Sequence, residues 1–310
     1  EEPEKAGFKV FQRLRKGPLA KVPIILVTGS VAPDSFAKHR ALKVHADEYF
    51  DKRTLTRDDG CTLHGLVHCL PDRVGEQVRG MVRQTHVDGA ILSSPVTDCG
   101  PVLNVLEAMN IPFVRISPGT NHALTSSVFM DDMQAADDMT THLINIGHRR
   151  IAFIKGHANH MASAERQAGY ERALSRVGIS VDAELIAEGH FDFESGVAAT
   201  EQFLSLKYPP TAVFASNDDM ASGVLAVAHR RGIAVPEQLS VAGFDDTTLA
   251  RVVWPPLTTV RQPVRDLAST AADLLFGEGG IEHRRLPHEL ISRESVAPPY
   301  SPSIKKSKNT

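Results

Sequence analysis

Short apolar segments alternate with longer amphipathic segments along most of the chain, beginning at Val22. The apolar segments show little polar alternation, which is typical of parallel strands that are buried on both faces. Most neighbouring segments are separated by one stretch with apolar residues at helical spacing. The predicted strands cover residues 22–29, 47–51, 88–94, 112–117, 127–131, 150–156, 183–189, 211–216 and 239–244. This pattern of βαβ units predicts an α/β fold with parallel sheets.

Composition and charge narrow the class of protein. The 310 residues are enough for two compact lobes, and the net charge of −3 gives no basic surface for nucleic acid. Three cysteines form no even disulfide framework, which fits a reducing compartment. The charged start of the chain does not resemble a signal peptide, and no apolar run approaches the length of a membrane span. We therefore expect a cytoplasmic protein without membrane contact and disfavour an exported solute-binding protein.

Motifs for catalysis and metal binding are weak. The sequence has no G-x-S-x-G, P-loop or H-E-x-x-H motif and no G-x-G-x-x-G after the first strand, so we expect no enzyme activity and no cofactor. Cys61, His64, His68 and Cys69 have spacings that could hold zinc. On one helix, however, the first three share a face while Cys69 is turned about 100° away. We predict no metal site.

The most specific stretch lies at residues 241–262 and reads VAGFDDTTLARVVWPPLTTVRQ. It resembles the closing signature of the LacI/GalR family of bacterial transcription regulators, in which a buried strand ends in a Gly-Phe-Asp-Asp turn and a PPLTTVRQP segment follows. The resemblance implies a periplasmic-binding-protein-like fold of type I, with two doubly wound parallel-sheet lobes around a hinged cleft. It also implies a small-molecule effector, by analogy a sugar or similar polar metabolite, and a parent that regulates transcription.

The resemblance divides the chain into domains. In that family, the helix that leads from the first lobe to the second corresponds here to MDDMQAADDMTTHLINIGHRR, which begins with carboxylates and ends with a glycine and two arginines. The predicted ranges are 1–21 for an N-terminal helical segment, 22–148 and 262–280 for the first lobe, 149–261 and 281–298 for the second lobe, and 299–310 for a tail with the composition of disorder.

Asp245 and Asp246 come just past the carboxyl end of the predicted strand at 239–244, where open α/β sheets bind their ligands. A carboxylate there can accept hydrogen bonds from two adjacent hydroxyls of a sugar or polyol. The alternative is that both aspartates cap a following turn or helix. We favour Asp245 over Asp246 as the ligand group.

Arg166 lies in ASAERQAGYERAL, where Ser163 is the predicted N-cap of a helix. A cation in the first turn is unfavourable against the helix dipole, so another partner is expected. The family's Ser-Ala-x-Arg-x-x-Gly-Tyr pattern matches this segment, and the resemblance implies that Arg166 binds effector oxygens in the cleft. A surface salt bridge with Glu165 or Glu171 is the alternative.

Asn217 and Asp218 follow the predicted strand at 211–216, in a segment that resembles the family's Asn-Asp-x-Met-Ala motif. Their place at a strand's carboxyl end favours ligand contact. Helix capping is the alternative for both, and it is the preferred interpretation of Asp219.

Phe191 follows the predicted strand at 183–189 and is a candidate stacking wall for a sugar ring, although a core phenylalanine would look the same in sequence. Ser117, Asp131 and Asp132 follow strands of the predicted first lobe. They are weaker candidates for ligand contact.

The N-terminal segment departs from the family, whose members begin with a helix-turn-helix domain and a hinge helix. Nothing before Val22 has the pattern of a basic recognition helix, so we predict no direct DNA binding by this chain. Residues 8–56 resemble instead the second half of a response-regulator receiver domain of the pseudo-receiver type, with Thr28 and Lys52 at matching strand ends. We interpret residues 22–53 as a receiver-like βαβ unit in a chimera, with a misassembled reading frame as the alternative.

The predicted helix at 263–277 is a candidate homodimer surface, although core packing explains its apolar side equally well. The leading hypothesis is therefore a sugar-binding effector core of a transcription regulator. A chimeric scaffold that folds without binding a ligand and a solute-binding protein are the alternatives.

Overall fold

The computed structural model describes residues 25–28, 48–51, 75–76, 78–80, 82–83 and 89–299. The chain forms two compact units. The first comprises residues 1–115 and 274–278, and the second comprises residues 116–273 and 279–310. All predicted ligand residues belong to the second unit. The boundaries of the predicted lobes differ from those of these units, and the division into lobes stays a prediction. The predicted N-terminal helical segment at 1–21 lies outside the described residues.

The described elements are numbered in chain order. The strands are β1 Ile25–Thr28, β2 Glu48–Asp51, β3 Ala90–Leu92, β4 Phe113–Ile116, β5 Ser127–Met130, β6 Ile151–Ile154, β7 Ile186–Ala187, β8 Ala212–Ala215, β9 Ser240–Asp245, β10 Thr258–Arg261, β11 His283–Leu286 and β12 Glu289–Ile291. The helices with fully described bounds are α1 Gly100–Ala108, α2 Asp132–Asn145, α3 Met161–Arg176, α4 Phe193–Leu204, α5 Asp218–Arg231, α6 Thr248–Val252 and α7 Val264–Phe276. None of the helices in the described ranges is long and apolar enough to cross a membrane.

The first unit contains parallel strand pairs. β1 pairs with β2, and β3 pairs with β4. α1 connects β3 to β4 and buries Val102, Leu103, Val105 and Leu106. This connection is the βαβ unit that the apolar pattern predicts.

The second unit is built on a six-stranded sheet in the order β12-β10-β9-β8-β6-β7. Neighbouring strands are parallel except β12, which runs antiparallel to β10. Every residue of β6 and β8 is buried. A further parallel pair in this unit joins β5 to β11.

Helices cover both faces of this sheet and form two apolar cores. On one face, Val213 and Val241 pack with Phe203 of α4 and with α5. On the other face, Phe153 packs against α2 and α3, and its ring centroid lies 4.9 Å from that of Tyr170. Parallel strands with helices on both sides are the doubly wound arrangement that the sequence predicts.

One predicted strand is shorter in the structure, and three strands of the structure were not predicted. The predicted strand at 183–189 is reduced to β7, because Ala183–Leu185 form a 3-10 turn in which the Asp182 carboxylate accepts a hydrogen bond from the Glu184 amide. β10, β11 and β12 are strands that the apolar pattern does not predict. TTVR and HRRL carry too many polar residues for that pattern, and ELI is only three residues long.

The start of α3 also differs from the prediction. The helix begins at Met161, with His160 as the N-cap, so the prediction that Ser163 is the cap is wrong. The Ser163 hydroxyl donates instead to the carbonyl of His157 at 2.8 Å. Arg166 therefore lies in the second turn, where the helix dipole opposes a cation less.

Candidate functional site

Arg166 lies at the centre of a polar cluster in the second unit. Its Nε donates to Oδ1 of Asp132 at 2.7 Å, and its Nη1 donates to the carbonyl of Ser216 at 2.5 Å. Oδ1 of Asp245 lies 3.7 Å from the same Nη1. The first turn of α2 and the carboxyl ends of β8 and β9 thus meet at one guanidinium. The surface salt bridge considered from the sequence is replaced by this buried pairing.

Aromatic rings flank the same guanidinium. Its Cζ lies 3.6 Å from the ring centroid of Phe244 and 5.9 Å from that of Phe191. Arg166 is 5% exposed. A cation near a ring face is attracted by the ring's quadrupole, and it is held more strongly where water is excluded. These contacts hold the arginine in position.

Asp245 is the carboxylate of this cluster that solvent reaches, with a side chain that is 27% exposed. Its Oδ1 accepts a hydrogen bond from Nε2 of Gln262 at 2.6 Å. Burial raises the pKa of Asp245 to about 7, although Arg166 and Gln262 act in the opposite direction. The carboxyl group therefore titrates near neutral pH, where it can accept a hydrogen bond or, when protonated, donate one.

Asp246 is surrounded by arginines and has a side chain that is fully buried. Oδ2 accepts hydrogen bonds from Arg251 at 3.1 Å and Arg261 at 2.7 Å, and Oδ1 accepts one from Arg293. Burial alone would raise the pKa of Asp246, but these three hydrogen bonds lower it below the usual aspartate range. The residue joins the end of β9 to α6, β10 and the segment after β12. This arrangement favours a structural role.

Asp218 is also saturated with internal partners. Its Oδ2 accepts from the amide of Thr247 at 2.8 Å and from the hydroxyl at 3.0 Å, and its Oδ1 accepts from the Thr259 hydroxyl at 2.7 Å. It is 1% exposed, and burial raises its pKa to about 6. A Cβ at Gly243 would lie 2.5 Å from its Oδ1. These contacts support the structural alternative for Asp218, and its role in ligand binding stays a prediction.

Asn217 combines the capping role with a second contact. Its Oδ1 accepts from the Met220 amide at 2.9 Å as the N-cap of α5, while its Nδ2 donates to the carbonyl of Phe191 at 2.9 Å. Phe191 has a φ of +63° and packs so closely on Gly156 that a Cβ there would lie 2.0 Å from its ring. Asn217 therefore anchors the aromatic residue that the sequence places beside the ligand.

Ser117 and Asp131 make other contacts. The Ser117 amide donates to the carbonyl of Val128 at 2.9 Å. Asp131 is the N-cap of α2, since its Oδ1 accepts from the Gln134 amide at 2.8 Å, and its Oδ2 lies 3.0 Å from Arg285. Asp132, the next residue, is the one that meets the central arginine. The ligand roles predicted for Ser117 and Asp131 stay predictions.

Left-handed backbone conformations concentrate on the predicted site. The described non-glycine residues with positive φ are Asn110, Ser117, Asn121, Phe191, Asp245 and Asp246. Half of them, Ser117, Phe191 and Asp245, are ligand candidates from the sequence. Strained backbone persists only where the surrounding structure enforces it, and it is frequent at ligand sites.

Sequence reasoning missed other members of this region. Gln262 follows β10 at the end of the closing signature and binds Asp245, and the signal for it was its place at the carboxyl end of a parallel strand. His157 lies with its ring centroid 5.8 Å from that of His160 and 5.7 Å from that of His190. No group of three metal-ligating side chains within the described ranges could hold a metal ion. The four-residue cluster at 61–69 lies outside those ranges.

Comparisons with known proteins identify the family of this chain. A family model described as a periplasmic binding protein-like domain matches residues 140–296. The HTH-type transcriptional repressor PurR of Vibrio atlanticus strain LGP32 is 33% identical over 219 residues, which are 68% of this chain and 64% of that protein. The HTH-type transcriptional repressor CytR of Escherichia coli strain K12 is 42% identical over 175 residues, which are 55% of this chain and 51% of that protein.

The solved structure of the transcriptional regulator CelR–cellobiose complex matches this chain with a TM-score of 0.66 and 35% sequence identity. The match covers 72% of this chain and 70% of the chain in that structure. The parallel sheets and these similarities thus define a protein with a periplasmic-binding-protein-like α/β fold. The chain belongs to the LacI family of transcriptional regulators, through the effector domain of that family. These relatives are repressors, which confirms the prediction of a protein that is not an enzyme. The chain spans 64% of the length of the PurR relative and 51% of that of CytR.

Proposed function

We propose that the chain is the effector-binding core of a cytoplasmic transcriptional regulator and that its effector is a sugar or a similar polyol. The observation that carries this proposal is the pairing of Arg166 with Asp245 at 3.7 Å, beside Phe191 and Phe244. One group donates hydrogen bonds and the other accepts them, which matches adjacent hydroxyls on a sugar ring. The aromatic rings match the apolar face of such a ring.

The similarity to the CelR–cellobiose complex supports a sugar, since the ligand of that complex is a disaccharide. For the intact regulator, we propose that effector binding changes contact with DNA, because both curated relatives are described as HTH-type repressors. The homodimer predicted from the sequence is part of the same proposal. The receiver-like interpretation of residues 8–56 stays a prediction, as most of that range lies outside the described residues.

The first experiment is a thermal-shift screen against hexoses, pentoses, disaccharides and nucleosides, followed by calorimetric titration of the ligand that stabilises the protein most. Arg166→Lys keeps the charge but loses the planar fork, so we expect affinity to fall about 10- to 100-fold. Arg172→Lys is the matched control. It lies on the same helix and also pairs with an α2 carboxylate, that of Asp137 at 2.6 Å.

The two variants separate ligand binding from folding. Equal affinity in wild type and Arg166→Lys would contradict the proposed site. A cooperative unfolding transition with no response to any ligand would support the scaffold alternative, in which the fold is retained without a working site. Loss of affinity in Arg172→Lys to the same extent would show that the α2–α3 packing, and not the guanidinium, controls binding.

A further inference from the structure

A cavity of about 420 Å³ lies at the carboxyl ends of β9 and β10. The residues around it are Asp245, Asp246, Thr247, Arg251, Arg261, Gln262, Val264 and Arg265. All of them belong to the second unit. Its volume is in the range of small-molecule sites. It contains three arginines, which is unusual for a site that has only to recognise hydroxyl groups.

Asp246, one of the two carboxylates that line the cavity, is neutralised from within the protein. Asp246 is fully buried and accepts hydrogen bonds from Arg251, Arg261 and Arg293. Arg261 is held a second time by Glu289 at 2.6 Å. With Asp245, which also lines the cavity, Asp246 and Glu289 make three carboxylates against these three arginines. The charge balance becomes positive when the last cavity arginine is counted.

That last arginine is Arg265, in the first turn of α7, where it is exposed. Within the part of the chain that the structure describes, its side chain has neither an ion pair nor a hydrogen bond. Arg251 touches Asp246 through one nitrogen and has a side chain that is 59% exposed, so most of its five donors remain for other partners. The cavity therefore offers guanidinium donors that the fold itself does not use.

The cavity is continuous with the Arg166 cluster through two shared residues. Asp245 lines the cavity and lies 3.7 Å from Arg166 on its other side. Gln262 lines the cavity and donates to Asp245 at 2.6 Å. A ligand bound at Arg166 thus has a second, arginine-lined pocket on the other side of the same carboxyl group.

We propose that this cavity binds the oxyanion of an acidic effector, a phosphate or carboxylate group, with Arg265 and Arg251 as its hydrogen-bond donors. This inference rests on the proposed function, because the sugar portion of that effector occupies the Arg166 cluster. Guanidinium groups bind phosphate and carboxylate oxygens in pairs, with charge-assisted hydrogen bonds. The predicted effector class is a sugar phosphate or sugar acid, and neutral sugars bind more weakly.

The test compares matched ligands by calorimetric titration of the full chain at low ionic strength. The pairs are glucose with glucose 6-phosphate, ribose with ribose 5-phosphate and glucose with glucuronate, and inorganic phosphate is titrated alone. We expect at least one acidic ligand to bind about tenfold or more tightly than its neutral partner. Added salt reduces this preference, since both donors are near solvent.

Arg265→Gln removes the expected donor from an exposed position, so the variant is expected to fold. Its matched control is Arg230→Gln, which removes the same charge from a side chain that is 58% exposed and paired with Glu201. The preference for the acidic ligand disappears in Arg265→Gln and persists in Arg230→Gln. Binding of inorganic phosphate by itself, in wild type but not in Arg265→Gln, supports the cavity as an oxyanion site. It also identifies free phosphate as the source of the bound oxyanion.

Three outcomes overturn the inference. An unchanged acidic-to-neutral ratio in Arg265→Gln shows that the anion is bound elsewhere. Equal affinity for both members of every pair shows that the cavity holds no anion, while the proposed sugar site at Arg166 stands. If neither neutral nor acidic sugars bind and phosphate also fails, both the inference and the proposed function are wrong.

Discussion

Asp245 and Asp246 are neighbours in the chain, both come at the end of β9, and both have positive φ. Their surroundings differ. Asp245 is partly exposed beside one arginine and has a pKa raised to about 7, whereas Asp246 is fully buried among three arginines and has a pKa below its usual range. One residue type thus has two different surroundings at one strand end. We propose the carboxylate with fewer partners as the ligand group, whereas the one with many partners joins elements of the fold.

The largest effect is expected at the buried member of the pair. Asp246→Ala leaves Arg251, Arg261 and Arg293 facing one another without their common carboxylate. We expect a loss of about 3 kcal/mol in the free energy of unfolding, the lower end for breaking a buried pair because the arginines are partly exposed to water. Urea denaturation at neutral pH measures this loss.

The contrasting variant is Asp245→Asn, which keeps the hydrogen-bonding shape and removes the carboxyl group. Its free energy of unfolding should equal that of wild type or exceed it at neutral pH. If Asp246→Ala lost less free energy of unfolding than Asp245→Asn, the structural role would belong to Asp245 and not to Asp246.

The sequence alone could not separate these two aspartates. Both follow an apolar strand, which is enough to predict the site at this edge of the sheet. The arginines that bind Asp246 lie 5, 15 and 47 residues further along the chain, so only the folded structure brings them together. β10 was missed for the same reason, since Thr258 and Thr259 are buried polar residues whose partners come from distant segments.

Other parts of the site were predictable because their signals are local. The carboxyl ends of apolar strands pointed to Asp245 and Asn217, and the resemblance to the LacI family pointed to Arg166. The roles of the candidates depended on contacts between distant segments. Asn217 proved to cap α5 and to hold Phe191, which lies 26 residues earlier in the chain.

A second effect is a difference in pH dependence between the same two aspartates. From about pH 4, the usual aspartate range, to about pH 7, folded Asp245 keeps a proton that the unfolded chain releases. This group therefore lowers stability as pH rises through that window, by at most about 1.4 kcal/mol per pH unit. Asp246 acts oppositely: its lowered pKa contributes stability above the usual aspartate range, which is lost as pH falls through its folded pKa.

Urea denaturation of wild type and Asp245→Asn between pH 5 and pH 8 measures this effect. The variant should gain stability relative to wild type as pH rises to about 7, and the difference should then level off. A slope remains in both proteins because burial also raises the pKa of Asp218, to about 6. A stability difference that is constant across the whole range would contradict the raised pKa of Asp245.

The smallest expected effect concerns Asn217, whose two contacts can be separated by a single substitution. Asn217→Ser retains a side-chain oxygen for the N-cap of α5 but cannot donate to the carbonyl of Phe191. We expect stability to change by less than about 1 kcal/mol, because Ser and Asn are comparable caps. Affinity for the effector should fall by several-fold, since Phe191 is then free to leave its strained φ of +63°.

Asn217→Ala is the comparison, since it loses both contacts and should lose about 1 kcal/mol of stability in addition. Unchanged affinity in both variants would mean that Phe191 is held by Gly156 and His160 alone, and that the anchoring contact belongs to the fold and not to the site.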